Sequence, residues 1–294
     1  MLHWLFDGYW PAADQGEDGY TPQRLLAVGD VADIQLATAM EDCHRAVAVG
    51  SGLNERGAIH VLKVARAAEG DGYLDIERQS LTKLLAAAGN TTYRKYLPAL
   101  VDSFLTADRS GRRANVFRYE PGFHTFEEVH AQHPALDGRH LAWIFKRLLT
   151  VLGFCHRQNT IHGAVLPCHS MIHAAGHGLQ LVGWGQSVAA GQRIRSVPLR
   201  YRDWYPAEVH QQHPAGPATD LFLAARCLVY LGGGDPVTNR MPEAVPAPLR
   251  RFLSTCLLES ARMRPDDAWA LHEEFDELLQ TLYGPPKFHE LTLT

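Results

Sequence analysis

The hydrophobic period of this chain changes near Pro121, and that change limits the folds open to it. Before Pro121, short apolar runs are broken by turn residues. The stretch "QRLLAVGDVADIQLATAM" alternates around Gly29, "AIHVLKVARA" reads as a further strand, and "EDCHRAVAVGSGLNERG" between them reads as a hairpin strand followed by a loop. The runs "LPALVDSFLT" and "RANVFRYE" have strand length, with the turn "ADRSGR" between them. Helical periodicity interrupts this region once, in "GYLDIERQSLTKLLAAA", where Ile76, Leu81, Leu84 and Leu85 fall roughly on one stripe.

After Pro121 the steps become helical. Leu141, Ile144, Phe145, Leu148, Leu149, Leu152 and Cys155 recur at three- and four-residue intervals, with Asp137 and Gly138 where a helix would begin. The run "TDLFLAARCLVYLGG" is apolar nearly all round. It predicts a buried helix opened by a Thr-Asp capping pair and stopped by glycines. Two amphipathic helices, "PAPLRRFLSTCLLES" and "DDAWALHEEFDELLQTLYG", follow it. The expected fold class is α+β: a small antiparallel-sheet lobe with one helix over residues 1–119, then a larger helical lobe over 120–294.

Composition narrows the partners. The formal net charge of -4, from 28 Lys plus Arg against 32 Asp plus Glu, gives no general push toward nucleic acid or an anionic membrane. Arginine clusters in "RSGRRANVFR" and "RIRSVPLRYRDW" read as solvated faces or internal anchors. Cys43, Cys155, Cys168, Cys227 and Cys256 are odd in number, far apart and never in a Cys-x2-Cys pair, which suits a reducing compartment. The N-terminus is too acidic, and its apolar run too short, for a signal peptide, and no stretch reaches membrane-spanning length. A soluble cytoplasmic protein is expected.

Lys63 sits centrally in a short apolar strand, and Glu77 follows on the helix of the small lobe. A strand lysine held by a helical carboxylate can neutralise phosphate charge. With this pair the chain resembles the protein-kinase-like family, from about Leu26 to Leu279. The glycine-rich hairpin of that family resembles "AVGDVADIQLA", with Gly29 at the central glycine, Val31 at the aromatic, Ala32 at the third glycine, Ile34 at the valine and Ala37 at the following alanine. Ala27 replaces the first glycine. The "HRDLKPEN" loop is similar to "HGAVLPCH", where His162 and Pro167 are kept. Gly163 replaces the arginine, Ala164 the catalytic aspartate, Leu166 the lysine and His169 the metal-binding asparagine. The "DFG" site is similar to "GWG", with Gly183 for the aspartate, Trp184 for the phenylalanine and Gly185 retained. Downstream, Glu208 in "YPAEV" matches the "APE" glutamate. The resemblance implies that Asp220 braces the catalytic loop through its backbone and that Arg264 pairs with Glu208.

Phosphoryl transfer needs metal ions to offset charge and a carboxylate to receive the proton of the attacking hydroxyl. Ala164 supplies no carboxylate, Gly183 no hard oxygen ligand, and His169 an imidazole that magnesium binds poorly. No catalytic residue is therefore expected. The reading is a pseudokinase of bacterial type, acting as a protein-interaction or allosteric module. Two alternatives stay open: a non-standard ATP-dependent transferase drawing on acids such as Asp71 or Asp75, and a nucleotide-binding switch without catalysis.

Gly29, Val61, Lys63 and Glu77 are the candidate nucleotide-binding residues; His162, Trp184, Gly185, Glu208, Asp220 and Arg264 are expected to be structural. Trp184 and His162 would stack with Leu81 in a hydrophobic column joining the lobes. No cofactor is required. ATP or another nucleotide is an optional occupant, and magnesium is not expected.

A partner protein is expected. Candidate docking residues are Trp143 and Phe145 beside Lys146 and Arg147, alternatively a core aromatic with flanking solvated bases, and the arginines and aromatics of "QRIRSVPLRYRDWYP". His156, His162, His169, His173 and His177, with Cys155 and Cys168, crowd one span. Gly176 and Gly178 break any ligand-bearing helix there, so packing or surface histidines and no metal site are expected.

Overall fold

A computed structural model describes residues 19–39, 58–107 and 111–293. The expected hairpin strand in residues 41–57, Cys43 and the aromatic N-terminal stretch before Gly19 lie outside the described residues, as does part of the turn "ADRSGR". The chain divides into two units, one of residues 1–75 and 99–119, the other of residues 76–98 and 120–294. It is a mixed α/β structure with an antiparallel sheet and several helices. No helix among the described residues is long and apolar enough to cross a membrane.

The first unit is built on strands β1 (Tyr20–Val28), β2 (Ala32–Ala39), β3 (Ile59–Ala65), β4 (Leu100–Leu105) and β5 (Arg113–Arg118). They form one five-stranded sheet in the order β1-β2-β3-β5-β4. β1 and β2 meet around Gly29, whose N–H donates to the Ala32 carbonyl at 2.9 Å. β3 runs antiparallel to both neighbours, placing Lys63 opposite Ile34 and Asn115, and Val61 opposite Leu36 and Phe117. Alternation buries one face: Tyr20, Ala37, Leu62, Val101, Phe104, Ala114 and Val116 form its core.

Helix α1 (Ala68–Ala88) begins in this unit and passes into the second at Ile76. Leu74 packs with Ala32 and Ala65, and the buried amide of Asn115 donates to the Leu74 carbonyl at 2.9 Å. The expected stripe is shifted. Ile76 and Leu85 are only half-buried, and the buried positions are Gly70, Leu74, Glu77, Leu81, Leu84 and Ala88. A carboxylate therefore sits on the apolar face, a placement hydrophobicity alone does not reveal.

The second unit carries a three-stranded sheet of β6 (Phe123–Thr125), β7 (Ser170–His173) and β8 (Gly178–Leu181), in the order β6-β7-β8. Around it lie α2 (Phe126–Gln132), α3 (Gly138–Arg157), α4 (Ala207–His210), α5 (Pro217–Leu231), α6 (Ala247–Cys256) and α7 (Ala268–Tyr283). Asp137 caps α3, its carboxylate accepting from the Arg139 and His140 N–H groups at 2.7 and 3.1 Å. The α3 stripe Leu141, Ile144, Phe145, Leu148, Leu149 and Leu152 is fully buried, and Phe145 meets Phe275 of α7 edge-on at 5.1 Å.

α5 is buried along almost its whole length, as its composition predicts. Its start differs from expectation. Gly216 is the cap and Pro217 the first helical residue, so Thr219 and Asp220 lie inside the first turn; Thr219 helps from there, its hydroxyl accepting the Gly216 N–H at 3.4 Å, while Asp220 does not cap the helix. The Asp220 carboxylate is turned instead toward the loop at His162.

Candidate functional site

The loop from Thr160 to His169 is fixed from beneath by Asp220, which is fully buried at the start of α5. One carboxylate oxygen accepts from the His162 N–H at 2.8 Å and from His156 Nε2 at 2.9 Å, and the other accepts from the Gly163 N–H at 2.9 Å. Three donors on one buried carboxylate make a strong, directional clamp. His156, which the sequence offered as one of a crowded span of packing or surface histidines, is thus a second prop for Asp220.

The ring of His162 is committed at both nitrogens. The Ala164 N–H donates to its Nδ1 at 3.2 Å, so its proton sits on Nε2 and is donated to the Val182 carbonyl at 3.0 Å. The ring meets Trp184 edge-on at 4.4 Å. Trp184 is completely buried and donates Nε1–H to the Leu181 carbonyl at 2.8 Å. Leu81, also fully buried, belongs to this same unit. His162 therefore acts here as packing and hydrogen-bonding material, with neither nitrogen left to serve as a base.

Ala164, His169 and Gly183 sit close together. Ala164 is fully buried. Its carbonyl accepts from His169 Nδ1 at 3.0 Å, which pins the imidazole over Gly183. Gly183 has φ +78°, and a Cβ there would come within 2.4 Å of His169 Cδ2 and 2.7 Å of Nε2. The ring thus occupies the space into which a side chain at 183 would project. Gly163 is constrained in the same manner: φ is +73° and a Cβ would lie 2.7 Å from the Gln186 carbonyl oxygen. The loop as folded accepts neither an arginine at 163 nor an aspartate at 183 without rearrangement.

The remaining sequence candidates fall into two groups. Val61 and Lys63 lie on the sheet of the first unit and Gly29 in the turn between β1 and β2, where Arg66 Nη1 donates to its carbonyl at 3.2 Å. Glu77, 2% exposed, is on the portion of α1 that belongs to the second unit. Glu208 and Arg264 are brought together as a buried bidentate pair at 2.6 and 3.2 Å. Arg264 also donates to the Leu258 and Glu259 carbonyls and lies over the Phe222 ring at 4.4 Å. Asp71 and Asp75 are engaged on β5: Asp71 accepts from the Arg113 N–H at 2.6 Å, and Asp75 pairs with its guanidinium at 3.8 Å.

The docking expectations change in detail. Trp143 stacks on His177 at 4.2 Å, Phe145 is buried, Lys146 pairs with Asp276 at 2.5 Å, and Arg147 donates to the Tyr96 hydroxyl at 3.1 Å. These residues make internal contacts. In residues 192–206 the aromatics Tyr201, Trp204 and Tyr205 are buried, while Arg193, Arg195, Leu199, Arg200 and Arg202 stay exposed. Tyr201 donates to Glu127, which also pairs with Arg200 at 2.8 Å. The free cysteines among the described residues are poor nucleophiles: burial pushes Cys168 and Cys256 up to about 12, and Cys155 and Cys227 well above the ordinary thiol value.

A pocket of about 460 Å³ lies within the second unit, lined by Ser80, Lys83, Thr160, Ser187, Arg193 and Arg195 among others. Lys83 Nζ donates to Thr160 Oγ1 at 3.1 Å, and the Ser80 and Ser187 hydroxyls bond at 2.8 Å. No carboxylate is among the lining residues. Sequence reading missed this pocket because its walls are contributed by segments far apart in the chain.

No family model matches the chain. A stretch of 122 residues, 41% of the chain, is 25% identical to Aurora/IPL1-related protein kinase 2 of Caenorhabditis briggsae. That stretch covers 40% of the kinase, so the chain spans less than half of the curated relative it matches. The likeness hints at a kinase-like relationship.

Proposed function

We propose that the chain is a two-lobed pseudokinase that works as a protein-interaction or allosteric module in the cytoplasm, without phosphotransferase activity. The observation that carries this reading is the placement of His169 over Gly183, beside a fully buried Ala164. The positions of both missing aspartates are filled by packing that leaves no room for a carboxylate at 183 and offers none at 164. Meanwhile Asp220, Glu208 and Arg264 keep saturated structural bonds. A loop that retains its scaffold and loses its acids supports binding rather than transfer. The partial likeness to a kinase supports the fold assignment.

A second reading, a nucleotide-responsive switch, is favoured by one observation: Lys63 is kept on β3 and Glu77 on the buried face of α1. The two are separated by calorimetric titration of the purified chain with ATP, with magnesium and again with EDTA, beside a Lys63→Ala control. The protein-interaction reading expects no saturable ATP binding in either condition, and neither reading expects phosphoryl transfer. Metal-independent ATP binding lost in Lys63→Ala would identify the switch, and magnesium-dependent turnover would overturn the proposal.

A further inference from the structure

Beyond Gly284 the chain meets the start of α3 and the segments beside it, through contacts with histidines. His177 stacks on Phe288 at 4.1 Å and its Nε2 contacts the His289 carbonyl at 2.8 Å. His133 Nε2 contacts the Thr292 carbonyl at 2.8 Å. His289 Nε2 lies 3.0 Å from Asp137 Oδ2, and its ring lies 4.4 Å from that of His140, which is 7% exposed. Of the histidine span that the sequence singles out only His177 takes part; Asp137, His140 and His289 lie outside it and apart from the loop at His162.

We propose that Asp137, His140 and His289 form a binding site for a zinc-class divalent cation that fastens the C-terminal tail to the start of α3. Each residue offers one ligand atom, and these atoms all lie within 4.8 Å of one another. Tetrahedral zinc, with bonds of about 2.0–2.2 Å to nitrogen and oxygen, spaces two ligands roughly 3.3–3.5 Å apart. The 3.0 Å between His289 and Asp137 must open by a few tenths of an ångström to admit the ion, and His140, within 4.8 Å of both, completes the set by drawing in to that spacing.

Two imidazoles and one carboxylate, with water in the fourth position, select zinc over magnesium, which prefers an all-oxygen shell. Trp143 Nε1 donates to His140 Nδ1 at 3.2 Å, so the neutral ring holds its proton on Nε2. Ligation through Nε2 releases that proton, Nδ1 takes one up, and the Trp143 bond is given up. The ring stays neutral, but its Nδ1–H would then face the Trp143 Nε1–H as a second donor, so the indole must turn away, a cost that the metal–imidazole bond has to exceed.

The test uses the full chain, dialysed against EDTA, freed of chelator and titrated with zinc chloride by calorimetry. The wild type is expected to bind one zinc saturably and to give no comparable signal with magnesium chloride. His289→Ala is expected to lose the site. Asp137→Asn, which keeps a good helix cap and so guards against misfolding, is expected to weaken it at least about tenfold, and the exposed His210→Ala to leave it unchanged. Zinc should also slow tryptic cleavage after Lys287 in the wild type but not in His289→Ala. Equal zinc binding by wild type and His289→Ala, which would mean adventitious histidine contacts, or tail cleavage as fast in zinc as in EDTA, would overturn the site.

Discussion

At the scale of single residues, His169 and Gly183 act as one unit. The imidazole, held by the Ala164 carbonyl, fills the volume a side chain at 183 would need. Gly183→Asp is therefore expected to destabilise the protein by about 1–3 kcal/mol, since it puts a side chain at φ +78° against a packed ring. In a His169→Asn background the same change should cost less, because the ring is gone. Urea denaturation of the wild type, both single variants and the double variant measures the coupling, expected at about 0.5–3 kcal/mol. Strictly additive costs would show that the two positions are independent. The residue types at 169 and 183 were legible in the sequence, but their interdependence was not: the β7–β8 ladder and the bond from the Val182 N–H to the His169 carbonyl at 2.8 Å bring them together across 14 positions.

Among the elements, long apolar periods were the legible part. The stripe of α3, its Asp137 cap and the all-round burial of α5 follow directly from residue spacing. Residue spacing alone was misleading at the start of α5, where it offered Asp220 as part of a cap; the backbone bonds from Asp220 to the loop were expected only from the family resemblance. Asp220 sits where a capping residue is sought, yet its carboxylate serves His156, His162 and Gly163, while Gly216 and Pro217 start the helix. α2 was not foreseen, although Thr125 and Glu128 form a reciprocal capping box that the pattern T-x-x-E announces. The Glu208–Arg264 pair ties α4 to the turn that precedes Arg264, and it is buried at both ends. Arg264→Met leaves Glu208 charged and unpartnered, with an expected loss of about 3–5 kcal/mol in chemical denaturation. The double variant Glu208→Leu with Arg264→Met should lose less than Arg264→Met alone, because no buried charge is stranded. A single variant within 1 kcal/mol of wild type would mean that solvent already reaches the pair.

Across the whole molecule, the 16 histidines were the least legible feature, because their partners are distant in sequence: Asp137 and His289 are 152 positions apart. Their burial nevertheless sets how the protein responds to acid. His60 on β3, His130 on α2 and His272 on α7 are each held below the usual imidazole value, first by burial. Arg118 adds to the effect at His60 and Lys146 at His272, whereas backbone acceptors oppose it at His60 and His130. Unfolding frees these rings to take protons at their ordinary value near 6.5. Between the lowered folded values and about 6.5 the unfolded chain therefore binds more protons, and stability rises with pH through that window. The contribution is complete above about 6.5 and is lost as the pH falls toward the folded values. Asp235, held low first by the Thr238 hydroxyl, titrates below this window and does not offset it. Urea midpoints measured in EDTA at about pH 7.5 and 5.5 should fall with acidification while the slope of the transition stays constant. Replacing His60, His130 and His272 together with glutamine should flatten the dependence. An unchanged or rising wild-type midpoint at the lower pH would show that these rings are already solvated in the folded chain.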